Sequence, residues 1–578
     1  MTTLIARVRR AELLGVPYIV YVAVMLFVPM GVLALYSFWE AGFLTVEQNF
    51  TLSTYRELFA QGAFWKVLVR SLAVGLAAAS LITILAFTLS HGLVFRFGRW
   101  KSVLFGVVIA ASLASFMGRV LAAETLLGEG GVINHSILSL GLATEPVGLF
   151  DFGYGSIVVT LTYVWLPVGT LILFGAVQDV NATTIEASHD LGGGRWNTLW
   201  RVTVPQAASG LKATFALMFI IATADYVTPS IVGGSKGALV ASGVSNAFLG
   251  EGNLPLGSAM AFVMIAAMAL TLLVAAGVAK IVRQAIGPIG SVFRHRSGYG
   301  RTTRKPVFRW SLSFVATFPI LAFLLIPVVT IVVFSFNTRP VVGLPITGLT
   351  TSWYSSVVNA PGFSDALTTS LTVMVFDVIG SMAIGTMLAF ALARRASRGI
   401  LNRLLAVSVA APIVIPPVVI GVGYYAITVL FQFPLGIVTT VVAQVLLSAP
   451  FVGVVLALRL ARIDPHLGEA ARDLGARPLR QIWTVTLPLI LPSMVGVAFL
   501  VAAYSLDELL VTSFTIGARS TLPVWMLSNA RTGLTPDLNA LAVMLLLGTV
   551  GLFGLAALTT MASRIRTTRS LAVEPVTS

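Results

Sequence analysis

The sequence predicts an all-α membrane protein with about twelve transmembrane helices, arranged as two tandem six-helix domains. Three observations lead to this prediction. The chain of 578 residues is 57% hydrophobic and only 10% charged, whereas soluble globular chains carry about 25% charged residues. Twelve apolar runs are long enough to cross a bilayer, which takes about 20 residues. One loop motif occurs twice, 283 positions apart.

The composition excludes several classes of protein. A chain so rich in apolar residues is not intrinsically disordered. The absence of cysteine excludes a disulfide scaffold and metal sites built on thiolates. The five histidines show no metal-ligand spacing, and no catalytic constellation is evident, so we predict no metal site and no enzyme.

The twelve apolar runs divide equally between the two halves of the chain. They lie near Leu13–Phe38, Val67–Phe95, Val103–Leu127, Gly155–Val177, Ala207–Val232, Leu256–Val282, Trp310–Phe336, Leu367–Ala393, Leu401–Phe431, Leu435–Leu458, Leu489–Phe514 and Leu538–Ser563.

The net charge of +15 predicts the orientation of these runs. Basic residues mark the cytoplasmic side of short membrane loops. With the amino terminus inside, most Lys and Arg residues fall on one side, including Arg7, Arg394, Arg395 and a basic stretch between the halves. Acidic loop residues fall on the other. We therefore expect both termini in the cytoplasm, an uncleaved first helix, and no nucleic-acid partner.

The two halves are copies of one another. Glu186–Gly192 matches Glu469–Gly475 at an offset of 283, and Pro29 matches Pro327 at an offset of 298. An even number of spans in each copy places both the same way up, as a parallel repeat. We predict a first domain at 1–285, a basic cytoplasmic linker at 286–309 and a second domain at 310–578.

The duplicated cytoplasmic loop predicts a short amphipathic helix in each repeat. Asn181 and Asp464 are suited to cap such a helix, and Pro465 is suited to its first turn. Gly192 and Gly475 are suited to the left-handed residue after its end. Such a helix, present twice, would fit two copies of one docking partner. A surface connector without a partner is the alternative.

The same loop resembles the signature loop of permease subunits of binding-protein-dependent ABC importers. The resemblance rests on the spacing of two acid-plus-small-residue triplets, two glycines and two prolines. These are Glu186, Ala187, Ser188, Gly192 and Pro205 in the first copy, and Glu469, Ala470, Ala471, Gly475 and Pro488 in the second. In that family the loop forms a coupling helix that contacts the ATP-hydrolysing subunit. The resemblance implies two permease domains fused in one chain.

Further stretches resemble the spermidine/putrescine permease pair of that family. They are Leu126–Asn134 with Arg119, Ala224–Gly234, Ser505–Thr512 and Ser520–Trp525. Relatives with similar loops import ferric iron, thiamine, aminoethylphosphonate or opines, so these substrates remain alternatives. A secondary transporter would share the topology but would need neither matched loops nor ATPase subunits.

Acidic residues near the outer half of the fifth span of each repeat are candidates for the substrate pathway. Asp225 aligns with Glu508, and Asp507 lies beside the latter. Such carboxylates suit a cationic substrate through charge-assisted hydrogen bonds, and Tyr226 and Tyr504 would add cation–π contacts. Alternatively, these acids cap helices or pair with arginines outside the membrane.

Two intramembrane charges and one unassigned acid complete the candidates. Arg119 and Glu124 are spaced awkwardly for pairing along one helix, so we expect Arg119 to have a partner on another helix. Asp377 has no obvious partner in the sequence. Intramembrane ionisable groups usually face a cavity or a partner.

Prolines predict a break in the ninth apolar run. Pro412, Pro416 and Pro417, with Gly421 and Gly423, would break or kink it, as a gate or pathway wall or as a static kink. The chain has no Gly-x-x-x-x-Gly-Lys-Ser/Thr loop. We therefore expect no directly bound cofactor, and ATP hydrolysis by two partner ATPase subunits. An extracytoplasmic substrate-binding protein and the bacterial inner membrane complete the expected setting.

Overall fold

The protein is almost entirely α-helical, as the sequence predicts. The computed structural model describes residues 15–42, 46–128, 131–148, 152–292, 312–393 and 400–571. Most of the predicted linker, together with Arg7, Arg394 and Arg395, lies outside the described residues. The helix that begins at Leu254 continues to Val292, so it extends past the predicted start of the linker.

Within these residues, nine helices are long and apolar enough to cross a membrane, and three bent helix pairs bring the total to as many as twelve. We number them as spans 1 to 12 in chain order. They are Val16–Ser37, Gly62–Phe95, Gly98–Ser112 with Phe116–Leu126, Tyr154–Gln178, Arg195–Gln206 with Ala208–Ala224, Leu254–Ile281, Phe314–Phe334, Phe363–Ala393, Ile400–Val414 with Pro417–Phe431, Ile437–Leu460, Ile482–Asp507 and Pro536–Leu555.

Short elements connect the spans. The helices are Ser53–Ala60, Val132–Ser139, Ala182–Asp190, Val227–Val232, Val240–Leu249, Ser352–Val358, Pro465–Asp473, Thr512–Thr515 and Leu522–Ala530. Two strands, Glu40–Ala41 and Val46–Glu47, pair antiparallel with Glu40 opposite Glu47.

The described helices form two compact units that exchange their first spans. One unit, which we call the first-repeat unit, comprises Ser37–Thr350 with Leu534–Asn539. It therefore contains spans 2 to 7. The second-repeat unit comprises the chain up to Tyr36, Thr351–Gly533 and the chain from Ala540, so it contains span 1 and spans 8 to 12. The domain boundaries at 285 and 310 describe the duplication in the sequence, and they remain predictions. The compact units divide the chain differently, because each includes the first span of the other repeat.

In the first-repeat unit, span 2 packs along spans 4 and 5, and span 7 packs against spans 2 and 3. Aromatic contacts fix span 7 in this position. The rings of Phe97 and Phe314 stack with centroids 4.9 Å apart, and Tyr163 meets Phe323 edge-on at 6.0 Å.

In the second-repeat unit, spans 8, 10 and 11 pack together around small residues. An added Cβ at Gly385 would lie 2.6 Å from Cβ of Val452, and one at Gly453 would lie 2.3 Å from Cδ2 of Leu388. Glycines therefore permit the close approach of spans 8 and 10, as small residues do between membrane helices. Span 1 joins this unit through Tyr18, whose hydroxyl donates to the Ser408 carbonyl at 3.0 Å.

The third span of each repeat is sharply bent. Span 3 bends by 90° and span 9 by 96°, and the break residues share one extended conformation: Ser115 has φ −51° and ψ 140°, and Pro416 has φ −57° and ψ 140°. The predicted break in the ninth run is thus confirmed at Pro416. The expected contribution of the glycines was wrong, because Gly421 and Gly423 lie inside Pro417–Phe431.

These two glycines serve packing. An added Cβ at Gly421 would lie 2.8 Å from Cδ2 of Phe514, and one at Gly423 would lie 2.4 Å from Cε of Met30. Pro412 also lies within a helix, Ile400–Val414. A backbone that must approach another helix closely requires glycine whether or not the helix bends.

A π-helical segment opens the fifth span of each repeat, at Leu199–Thr203 and at Ile482–Thr486. Pro205 and Pro488 follow two residues later. A proline has no N–H to donate to the preceding turn. The wider π turn shifts the hydrogen-bond register just before it, since Val204 N–H bonds to the Leu199 carbonyl. Such single-turn π segments are frequent at functional sites.

Candidate functional site

The duplicated loop forms a short capped helix in each repeat. We call Ala182–Asp190 and Pro465–Asp473 the two docking helices. Oδ1 of Asn181 accepts the N–H of Thr183 at 3.0 Å, and Oδ1 of Asp464 accepts the N–H of His466 at 3.0 Å. The caps predicted from the sequence are confirmed. Each satisfies a backbone donor that the first turn leaves without a helical partner.

Each docking helix ends in a Schellman motif. Gly192 has φ 78° and Gly475 has φ 80°, a conformation that glycine adopts without steric cost. Gly192 N–H donates to the His189 carbonyl at 2.9 Å, and the following N–H donates to the Ser188 carbonyl at 2.8 Å. Gly475 and the residue after it make the same two bonds, at 2.8 and 3.0 Å. This pattern satisfies the last carbonyls and turns the chain sharply.

Exposed apolar residues mark both docking helices. Leu191 and Leu474, which directly precede the two glycines, are each 89% exposed, and Trp200 and Trp483 are more than half exposed. Both pairs obey the 283-residue offset. A single exposed leucine is ordinary, but the same exposed apolar set at two equivalent sites indicates a surface that contacts something else. The sequence contained this signal, because both leucines precede the matched glycines.

The remaining predicted loop residues lie on these elements. Glu186 and Ala187 are exposed on the first docking helix, and Glu469 and Ala470 are exposed on the second. Ala471 is half-buried on the inner face of the second helix. Within the part of the chain that the structure describes, Glu469 contacts His466 Nδ1 at 3.1 Å. Its exposed carboxylate is therefore held on the helix surface only by a neighbour three residues away.

Direct contacts join each docking helix to its following span. In the first repeat, Oγ of Ser188 and Oγ1 of Thr198 are 3.0 Å apart, and the N–H of Asn181 donates to Oε1 of Gln206 at 3.2 Å. In the second repeat, an added Cβ at Gly468 would lie 2.5 Å from Nε2 of Gln481. Each docking helix therefore packs against the segment that leads into span 5 or span 11.

The aligned acids Asp225 and Glu508 occupy equivalent places, directly after the last helical residues of spans 5 and 11. Asp225 is fully buried, and Oδ1 accepts the N–H groups of Val227 at 2.8 Å and Thr228 at 3.0 Å. Oε1 of Glu508 accepts Val511 N–H at 2.9 Å, and Oε2 accepts Thr512 N–H at 3.0 Å. Each carboxylate also accepts a threonine hydroxyl, at 2.7 and 2.6 Å.

The capping contact that the sequence left open as an alternative is therefore present at both acids. Glutamate is one methylene longer than aspartate, so its cap reaches one residue further along the chain. Neither Asp225 nor Glu508 forms an ion pair with a described basic residue. Tyr226 is buried next to the first cap, whereas Tyr504 is 44% exposed on the turn before the second. The pathway role of these residues stays a prediction.

Arg119 and Glu124 lie on the second half of bent span 3. Nη1 of Arg119 donates to the Val164 carbonyl of span 4 at 2.5 Å, which supplies the partner expected on another helix. Oε2 of Glu124 is buried and has no hydrogen-bond partner among the described residues. A buried polar atom without a hydrogen-bond partner lowers stability. Fold stability therefore gives no reason for a glutamate at position 124.

Two serines that sequence reasoning missed anchor the helix that precedes the last span of each repeat. Oγ of Ser71 accepts Val240 N–H at 2.9 Å, and Oγ of Ser370 accepts Leu522 N–H at 2.8 Å. Val240–Leu249 and Leu522–Ala530 thereby attach to spans 2 and 8. These serines give a structural alignment of the second spans, at an offset of 299.

The fold is that of a helical membrane protein with nine to twelve candidate spans in its described residues and one loop structure that occurs twice. Residues 381–567 match the family described as the binding-protein-dependent transport system inner membrane component. The chain is also 33% identical over 246 residues to the putrescine transport system permease protein PotI of Escherichia coli K12, a match that spans 41% of this chain and 85% of that protein. The chain therefore belongs to this family of inner-membrane permeases.

Two further relatives are similar. The spermidine/putrescine transport system permease protein PotC of Escherichia coli K12 is 32% identical over 231 residues, spanning 39% of this chain and 85% of PotC. The protein PotB of the same system is 24% identical over 229 residues, spanning 40% and 82%. Each relative thus corresponds to less than half of this chain, whose length fits two fused permease domains.

Proposed function

We propose that this chain forms the translocation pathway of an ATP-driven ABC importer for spermidine, putrescine or a related small organic cation. The observation that carries the transport class is the pair of docking helices, which share their length, the geometry of their caps and an exposed leucine. The substrate class is supported by the names of PotI, PotC and PotB. It is also supported by acidic groups at the outer ends of spans 5 and 11.

In this proposal each docking helix binds one copy of an ABC ATPase subunit. The exposed Leu191 and Leu474 provide the apolar contact, and Glu186 and Glu469 provide the polar one. The ATPase binds and hydrolyses ATP, and this chain binds no nucleotide or other cofactor. An extracytoplasmic binding protein delivers the substrate. Both termini and both docking helices face the cytoplasm.

Coupling follows from the contacts between docking helix and span. When the ATPase subunits approach one another, each docking helix moves with its subunit. Ser188 and Asn181 connect that movement to the start of span 5. At the other end of the span, Asp225 holds the short helix Val227–Val232. ATP shifts the permease between states only if the ATPase binds those states unequally.

Reconstitution tests the proposal. The chain, its ATPase and its binding protein are placed in proteoliposomes, and ATP-dependent uptake of labelled putrescine and spermidine is measured. Uptake driven by an ion gradient without ATPase would favour a secondary transporter. If the transporter imports no polyamine but does import ferric iron, thiamine, aminoethylphosphonate or an opine, the proposed substrate is wrong and the proposed class, an ABC importer, stands.

The docking role is tested by reversing charge in both loops. We expect Glu186→Lys combined with Glu469→Lys to abolish the stimulation of ATP hydrolysis by liganded binding protein. Neither residue supports the fold, because both are exposed. Unchanged stimulation in the double variant would argue against ATPase docking at these helices.

A further inference from the structure

A buried polar network in the second-repeat unit surrounds Asp377, the acid to which the sequence assigns no role. Asp377 lies in the middle of span 8 and is 0% exposed. Oδ1 accepts the hydroxyl of Ser381 at 2.8 Å, and Oδ2 accepts the hydroxyl of Ser448, on span 10, at 3.2 Å. Throughout the described chain, Asp377 forms no ion pair with a Lys, Arg or His side chain.

A second set of buried polar contacts, which includes the cap at Glu508, begins one helical turn away on span 10, since Gln444 lies four residues before Ser448. Gln444 of span 10 donates through Nε2 to Oγ1 of Thr512 at 2.9 Å, and its Oε1 accepts the hydroxyl of Ser505 at 2.5 Å. Thr512 in turn donates to Glu508. Spans 10 and 11 are thus joined by a hydrogen bond between buried polar side chains, those of Gln444 and Ser505.

Tyr504 lies on the last turn of span 11, just before Glu508, and directly precedes Ser505, whose hydroxyl donates to Gln444. Its side chain is 44% exposed, so it links this polar cluster to the surface of the unit. An aromatic face beside carboxylates is a favourable environment for an ammonium group, which gains charge-assisted hydrogen bonds and a cation–π contact.

A buried hydroxyl supplies a second, independent observation. Tyr424 is only 4% exposed, and its hydroxyl has no hydrogen-bond partner among the described residues. Tyr424 packs in one hydrophobic cluster with Ala443, Val445 and Ala449 of span 10, the residues that flank Gln444 and Ser448. Burying a hydroxyl group without a hydrogen-bond partner costs free energy unless a ligand provides the partner.

The other repeat shows that the fold does not need this network. The equivalents of Asp377, Gln444 and Ser505, taken from the offsets of 299 and 283, are Ala78, Leu161 and Ala222. All three are fully buried in one hydrophobic cluster of the first-repeat unit. The equivalent helices of the first-repeat unit therefore pack through apolar side chains. Buried polar groups rarely stabilise a fold more than well-packed apolar groups do. The polar side chains of the second-repeat unit require another explanation.

We propose that Asp377, Tyr504 and Glu508 form an intramembrane subsite for a protonated amino group of a linear polyamine. This inference rests on the proposed function and deepens it. The subsite lies within the second-repeat unit, so the two repeats do not contribute equally to substrate contact. Asp377 supplies the central negative charge, and its two serine donors fix the direction of the carboxylate.

The test uses the complete transporter in proteoliposomes, with binding protein saturated by spermidine. Asp377→Asn is expected to lower spermidine uptake at least tenfold while ATP hydrolysis stays within about twofold of the unsubstituted protein, because the loss concerns the substrate and not the docking helices. A purely structural defect would lower both together. Asp365→Asn, at an exposed position on the same helix, is the matched control and should change neither.

Tyr504→Ala provides a second variant at a half-exposed position that leaves the buried hydrogen bonds intact. It should also reduce the number of spermidine molecules moved per ATP. If the unsubstituted transporter imports spermidine and both variants retain normal uptake per ATP, the subsite is refuted and the proposed function stands. If the unsubstituted transporter imports no polyamine, the substrate proposal and the subsite both fail.

Discussion

Leu191 and Leu474 allow the docking surface to be tested without disturbing the fold. Each is 89% exposed, so replacement by serine should change the stability of the permease by less than about 0.5 kcal/mol. Burying a leucine in a partner contributes roughly 1.5–3 kcal/mol. The loss at one loop should therefore weaken ATPase binding about 10- to 100-fold, since each 1.4 kcal/mol is about tenfold in affinity.

The assay is the affinity of the purified ATPase for the permease in nanodiscs. Leu191→Ser and Leu474→Ser are measured singly and together, and the double variant should bind more weakly than either single one. Leu349→Ser is the matched control, because Leu349 is 79% exposed on the loop before span 8 and belongs to neither docking loop. Wild-type affinity in the folded double variant would refute the docking surface.

The remaining predictions concern stability. Gly453→Ala should lower the melting temperature in detergent, because the new Cβ would lie 2.3 Å from Cδ2 of buried Leu388 and overpacking typically costs about 1–3 kcal/mol. Gly496→Ala is the control and should leave the melting temperature unchanged, because no atom lies within 4 Å of its new Cβ. Equal melting temperatures of the two variants would contradict the close packing of spans 8 and 10. Asp225→Ala should destabilise by roughly 1–3 kcal/mol per buried donor left without an acceptor, and Asp225→Asn by less, measured by the same thermal unfolding.

Local patterns in the sequence were sufficient for the docking helices. Asn181, Asp464, Gly192 and Gly475 occupy the cap and left-handed positions that their side chains favour. Capping depends on hydrogen bonds within one turn, so the identity of a few neighbouring residues determines it. The membrane spans could also be predicted from the sequence, because the length of an apolar run that crosses the bilayer depends on the bilayer's thickness.

The bends of the third spans are only partly predictable from local sequence patterns. Pro416 predicts the break in span 9, whereas the break in span 3 falls at Ser115, with no proline nearby. The two breaks nevertheless share the same backbone conformation. The same bend therefore occurs at a proline in one repeat and without a proline in the other.

The sequence by itself determined the helical membrane fold, the duplication and the two capped docking helices, because hydropathy and capping act over one helix or one turn. Only the tertiary structure decided that spans 1 and 7 exchange units. It also decided that Asp377 bonds to Ser448 and Gln444 bonds to Ser505, where the other repeat buries Ala78, Leu161 and Ala222. Within a membrane, apolar helices gain little from the hydrophobic effect by choosing one neighbour over another. That choice depends on side-chain shape and buried hydrogen bonds between residues far apart in the chain.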